Sequence, residues 1–262
     1  MTTAISLDPP DYQRLLHEDG GEDGHGSGAK AGVFRKEALP GGSAAAAHIS
    51  IRLGFIRKVL GILSVQLLFT TAITAAFVYT PGLKGLVQQW SWMVMLAFIL
   101  SFGLLFAMMA KRKEYPTNFI LLGAWTIVEA YTVGVIASFF DRDVVAQAVF
   151  LTAGVVLGLT LYTLQTKRDF SAAGSGLFAC LFVLIIGGFL QMFMMNETLD
   201  FVLAIAGALI FSLFIIYDLQ NLIQRTDPEE YIMATINLYL DIINLFIEIL
   251  RILQHLNNQQ KK

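Results

Sequence analysis

Residues 239–253 read YLDIINLFIEILRIL. Its Leu, Ile, Phe and Tyr suit a helix in a bilayer, yet it carries Asp241, Glu248 and Arg251. A charge at the centre of a bilayer costs at least about 3 kcal/mol. The polar positions resolve the conflict. Asn237, Asp241, Asn244, Glu248 and Arg251 recur at spacings of 4, 3, 4 and 3, which places them on one face of an α-helix. Glu248 and Arg251 are neighbours at i,i+3 and can pair. Asp241 has no basic partner on its own helix. The stretch reads as a membrane helix with one polar seam.

Moving outward, the chain has 262 residues, 56% hydrophobic and 15% charged, with a mean hydropathy of +0.64. That is too apolar for an ordinary soluble domain. Seven apolar runs of spanning length cover about 59–79, 90–109, 118–140, 144–166, 172–194, 201–223 and 234–253. The expected fold is an all-α integral membrane protein, a seven-helix bundle occupying 51–256. The first run starts too late to be a signal peptide.

Nine basic residues (Arg52, Arg57, Lys58, Lys111, Arg112, Lys113, Lys167, Arg168 and Arg225) flank one set of loops, against Lys84 and Arg142 in the alternate set. This positive-inside bias puts the N-terminus in the cytosol. A fully spanning last segment puts the C-terminus outside. The basic tail HLNNQQKK favours a re-entrant segment instead, and the sequence leaves both open. The polar 257–262 reads as a short tail.

Several chemistries are excluded. The single cysteine, Cys180, rules out an intrachain disulfide and a thiolate metal cluster. No histidine falls within a run, which argues against a histidine metal site in the membrane, and no cofactor is expected. A net charge of −2 without a basic block argues against nucleic acid.

Residues 1–50 are Gly-rich and polar and read as a disordered cytosolic tail. Within it, PPDYQRLL (9–16) fits a PPxY ligand of WW domains, a tyrosine sorting signal and an acidic dileucine signal. Tyr12, Leu15 and Leu16 are the residues that sorting adaptors would read.

Four acidic residues lie within the runs: Glu129, Asp218, Asp241 and Glu248. Such residues are candidates for a functional site. Asp218, Asn221 and Arg225 share one face of the sixth run at spacings of 3 and 4. Counted from the loop near 225–232, Asp218 and Asp241 both lie roughly 10–14 Å into the membrane. The short loop makes their helices adjacent and antiparallel, so the two carboxyls form a plausible dyad. At close range both cannot ionise cheaply, and one proton is expected to be shared. Glu129, near the midplane, either joins the same cavity or bonds a neighbouring helix. Small residues at 173–176, 187–188 and 206–208 suit close helix packing.

AGALIFSLFIIYDLQ (206–220) resembles the signature of the Bax-inhibitor/lifeguard family. GLTLYTLQTKRDFS (158–171), DPEEYIMATINLYLDIINLFIEILRIL (227–253) and HISIRLGFIRKVLGILSVQ (48–66) are similar to its Golgi anti-apoptotic branch. The resemblance runs from about His48 to the C-terminus. It implies six helices around a central, amphiphilic seventh, and a pH-sensitive cation or Ca²⁺ leak that lowers store Ca²⁺ and suppresses apoptosis. It assigns Asp218 and Asp241 as the pH-sensing pair, where Ca²⁺ could bind transiently, and Arg251 to the gate region. Glu229 and Asp200 match acidic loop ends linked to conduction. A basic latch at the cytosolic end of the second helix matches Lys111, where lysine lacks the bidentate fork of arginine. An acidic residue of the second helix in a bacterial relative has no counterpart between Trp90 and Met109.

The implied partners are Ca²⁺, protons, the bilayer, inositol trisphosphate receptors and cell-death proteins. The implied location is the Golgi membrane, with endosomes, lysosomes and the endoplasmic reticulum as alternatives. Asn237, Asn244 and Glu248 join Arg251 as supports of the pathway. Two other readings remain. A non-conducting interaction protein could regulate other Ca²⁺ channels. An intramembrane aspartyl protease would need Gly-x-Gly-Asp where this chain has LYLD, so an enzyme is not expected.

Overall fold

The computed structural model describes residues 42–166 and 168–261, without the side chains of 42–49 and Ser171. Tyr12, Leu15 and Leu16, with the rest of the 1–41 stretch, lie outside the described residues. The chain divides into Met1–Gly42 and Ser43–Lys262, and the helices from Ser43 onward belong to the second unit.

Among the described residues the regular structure is all helical: α1 (Gly42–Tyr79), α2 (Pro81–Gln89), α3 (Met93–Lys111), α4 (Thr117–Ser138), α5 (Arg142–Gln165), α6 (Gly174–Met194), α7 (Glu197–Gln224) and α8 (Tyr231–Gln260). Six of these, α1 from Ser50 and α3 to α7, are long and apolar enough to cross a membrane. The protein is a multi-pass membrane protein. α3 and α6 expose large apolar side chains such as Phe106, Phe182, Val183 and Phe193, as helices against lipid do.

Of the seven apolar runs read from the sequence, the last does not become a helix of that apolarity. Its polar stripe lowers its hydropathy, yet α8 is heavily buried, from Ile232 to Leu250, against α4, α5 and α7. It is also one unbroken helix through Gln260, past the polar tail expected from 257. Asp141 holds that extension: its carboxylate Oδ2 accepts from Asn257 at 2.8 Å and from Lys261 at 2.7 Å. α2 lies in a stretch read as loop. Pro81 in its first turn suits a helix start, and Gln88 donates to the Ser138 carbonyl at 2.7 Å.

Local chemistry sets the breaks. Asn196 caps α7 by accepting from the amides of Thr198 and Leu199. Met195, with φ 45°, ends α6 in the left-handed conformation. Asp227 caps the short turn Pro228–Glu230 that leads into α8.

Arg52 closes the other end of α7. From α1 it donates to the carbonyl of Ile223 (2.7 Å), in the last turn of α7 where carbonyls lack intrahelical partners, and to that of Thr226 just beyond it (2.6 Å). Arg52→Ala should lower stability by about 2 kcal/mol, the loss of hydrogen bonds from a charged donor. Thermal unfolding in detergent measures it, and a Tm equal to wild type would show the clamp to be dispensable.

Candidate functional site

The connection 225–230 folds α7 and α8 into an antiparallel pair. The Asp218 and Asp241 carboxyls face each other across it, with the Asn221 side chain beside Asp218. Asp241 is 7% exposed, and its Oδ2 accepts from no donor among the described residues. Neither carboxyl is ion-paired to a basic residue among the described residues. Two acidic groups in an apolar setting, with one oxygen lacking a donor, can be satisfied by a proton held between them.

Further along the α8 seam, Arg251 Nη1 donates to Glu248 Oε2 at 2.7 Å, and Nη2 donates to Asp200 in the first turn of α7. One arginine thus joins a carboxylate of its own helix to one of α7. Gly207 makes room for this: a Cβ there would come within 2.8 Å of Glu248 Cδ. The small residues at 206–208 therefore admit a charged side chain between the helices. Beside the triad opens a cavity of about 760 Å³, lined by Gln191, Glu197, His255 and Lys261 among others.

The remaining predicted residues lie elsewhere. Asn237 is exposed, and Asn244 turns back to donate to the Leu240 carbonyl at 2.8 Å. Glu229 pairs at the surface with Lys113 at 2.9 Å, which raises the Lys113 pKa. Lys111 pairs with Glu114 at 2.8 Å. Glu129 accepts from Ser101 of α3, which also accepts from Trp125 Nε1 at 2.9 Å. Of its two open readings, Glu129 thus takes the bond to a neighbouring helix. Trp125 packs edge-on against Tyr239, whose hydroxyl meets Thr70 of α1 at 2.8 Å.

Sequence reasoning missed Arg52, Asp141 and Gln220. Gln220 accepts from the Phe170 amide (2.7 Å) and donates to the Arg168 carbonyl (2.6 Å), pinning the α5–α6 connection to α7. Its place one turn before Gln224, on a helix otherwise rich in Ile and Leu, was the available signal.

Lys261 beside Asp141 holds that carboxyl below the usual carboxylate range, with Gln254 and Asn257 assisting. A depressed carboxylate stabilises the fold above its ordinary pKa, and that contribution is lost as pH falls through its lower folded value. The end of α8 should therefore exchange amide hydrogens faster below about pH 4. Asp141→Asn should show the same fast exchange at neutral pH. Unchanged exchange at 254–261 in that variant would remove the latch.

Six apolar helices and a buried helix with a carboxyl pair and an arginine triad define a multi-pass helical membrane protein with a polar interior seam. The sequence profile of the inhibitors of apoptosis-promoting Bax1 matches residues 52–259, and the chain belongs to this Bax-inhibitor family. It is 47% identical over 219 residues to the Golgi anti-apoptotic protein of vaccinia virus (strain Lister), covering 84% of this chain and 92% of that one. It is 45% identical over 219 residues to mouse protein lifeguard 4, with the same coverage. Over 210 residues it is 40% identical to Bax inhibitor 1 of Schizosaccharomyces pombe, covering 80% and 79%.

Proposed function

We propose that the protein is a pH-sensitive Ca²⁺ or cation leak of Golgi membranes that lowers store Ca²⁺ and thereby suppresses apoptosis. The observation that carries this reading is the facing pair Asp218 and Asp241, neither of which is ion-paired to a base among the described residues. In it, α8 is the central seventh helix of the bundle and its polar seam is the pathway. With one proton held between the carboxyls, α7 and α8 stay closed on each other. Loss of that proton leaves two like charges, which push the helices apart and offer oxygen ligands to a cation. Ca²⁺ takes six to eight oxygens, so two carboxyls suit a passing ion better than a resident one. The Arg251 triad holds the far end of the seam.

Names of relatives support the Golgi and anti-apoptotic parts of the reading. The distribution of basic loops supports a cytosolic N-terminus. α7 and α8 run antiparallel: Arg251, late in α8, meets Asp200 at the start of α7. That supports a C-terminus on the opposite side from the 225–230 turn, so outside the cytosol. The test is Ca²⁺ entry into liposomes holding the purified protein and a Ca²⁺-sensitive dye. A flux that rises with pH supports the leak. No flux at any pH sinks it in favour of a non-conducting interaction protein.

A further inference from the structure

A groove of about 540 Å³ runs between α1 and α4, away from the α7–α8 seam. Its walls are apolar, with Ile62, Val65 and Phe69 on α1 and Phe119, Leu122 and Ile127 on α4. Two glycines, Gly61 and Gly123, help to keep it open. A Cβ at either would meet nothing within 4 Å. Gln66 Nε2 donates to Thr126 Oγ1 at 2.7 Å and ties the walls together, so the groove is preformed. From Gly61 to Phe69 it extends about 12 Å along the helix axis.

One end of the groove carries charge. Lys58 lies one turn before Gly61 and Ile62; its Nζ lies over the Tyr231 ring, 3.3 Å from the centroid, and 5.7 Å from the ring of Phe119, a wall residue. Arg57 is four residues before Gly61, on the same side of α1. Both are exposed, and neither has a carboxylate partner among the described residues. The other basic residues around this end have anionic or carbonyl partners: Lys111, Arg112, Lys113 and Arg225 are in ion pairs, and Arg52 caps α7, whereas Lys58 has only aromatic rings among the described residues and its charge still lacks a counter-anion there. We infer that the α1–α4 groove is a binding site for an anionic phospholipid of the bilayer, one acyl chain lying over Gly61 and Gly123 and the headgroup phosphate on Arg57 and Lys58. A sterol would leave both cations unused, and a free anion would leave the apolar groove unused. The chemistry of the two parts together selects a charged lipid.

Native mass spectrometry of the full-length protein in neutral detergent tests this, with dioleoylphosphatidylserine and dioleoylphosphatidylcholine as probes. Wild type should retain one phosphatidylserine about tenfold or more over phosphatidylcholine, given the attraction of two cations near a membrane surface. Arg57→Gln with Lys58→Gln should bring phosphatidylserine down to the phosphatidylcholine level. Gly123→Leu, which fills open space, should reduce retention of both lipids while the protein melts as wild type does. Gly61→Leu is the parallel variant should Gly123→Leu fail to express. Equal retention of the two lipids by wild type overturns the site. So does wild-type retention in the charge variant, or full displacement by soluble glycerophosphoserine, which would mark a simple anion site.

Discussion

Asp241→Asn protein in liposomes should lose the rise of Ca²⁺ flux with pH, its flux on the alkaline side falling to the level seen on the acid side. Asparagine keeps the size of the side chain and brings a permanent donor. It can therefore hold Asp218 as the shared proton does, at every pH. In wild type the proton is bound at low pH and lost at high pH, so closure belongs to the acid side and conduction to the alkaline side. Asp218→Asn should flatten the profile in the same way, because either substitution leaves a single ionisable carboxyl. The double variant should add little to either, since the two carboxyls act as one unit and their effects do not sum. A wild-type pH profile in both single variants would show that the gate does not run on this proton. Flux that is pH-independent already in wild type would assign the pair a structural role.

The second large effect is expected at Arg251. Its guanidinium is the counter-charge of both Glu248 and Asp200. Arg251→Ala leaves the mostly buried Glu248 without a cation and cuts the tie between α8 and α7. Removing one partner of a buried ion pair costs about 3–5 kcal/mol; with Asp200 39% exposed, the lower end applies. The variant should melt well below wild type in detergent. Arg251→Lys should recover only part of the loss, because an ammonium cannot span two carboxylates with a planar fork. Glu248→Gln combined with Arg251→Ala should be less harmful than Arg251→Ala alone, since it removes the stranded charge. If Arg251→Ala melts like wild type, the arginine is reaching the interface and the triad contributes no stability.

Both predictions begin in features that are legible along the chain. The apolar runs show that this is a membrane protein, because a bilayer demands about 20 apolar residues per crossing whatever the tertiary arrangement. The 4, 3, 4, 3 spacing from Asn237 to Arg251 and the 3, 4 spacing from Asp218 to Arg225 are helical periods. The short connection between them makes an antiparallel hairpin. Side and depth of the two aspartates follow from that local geometry, and the structure brings the carboxyls together. Glu248 and Arg251 are likewise one turn apart, so their pairing needs only a helix.

Partners far apart in sequence and the space between helices depend on how the helices pack. Nothing local marks Arg52 as the group that closes α7, 171 residues away. The second carboxylate on Arg251 comes from Asp200 because α7 packs antiparallel to α8, and Gly207 matters because it faces Glu248. The polar stripe of α8 lowers its apolarity while its neighbours bury it, so composition and burial point in opposite directions for that helix. Asn237 and Asn244 share the stripe with Asp241, but one is exposed and the other bonds its own backbone. A helical period places residues on a common face; what that face meets is set by packing, which a one-dimensional pattern does not contain.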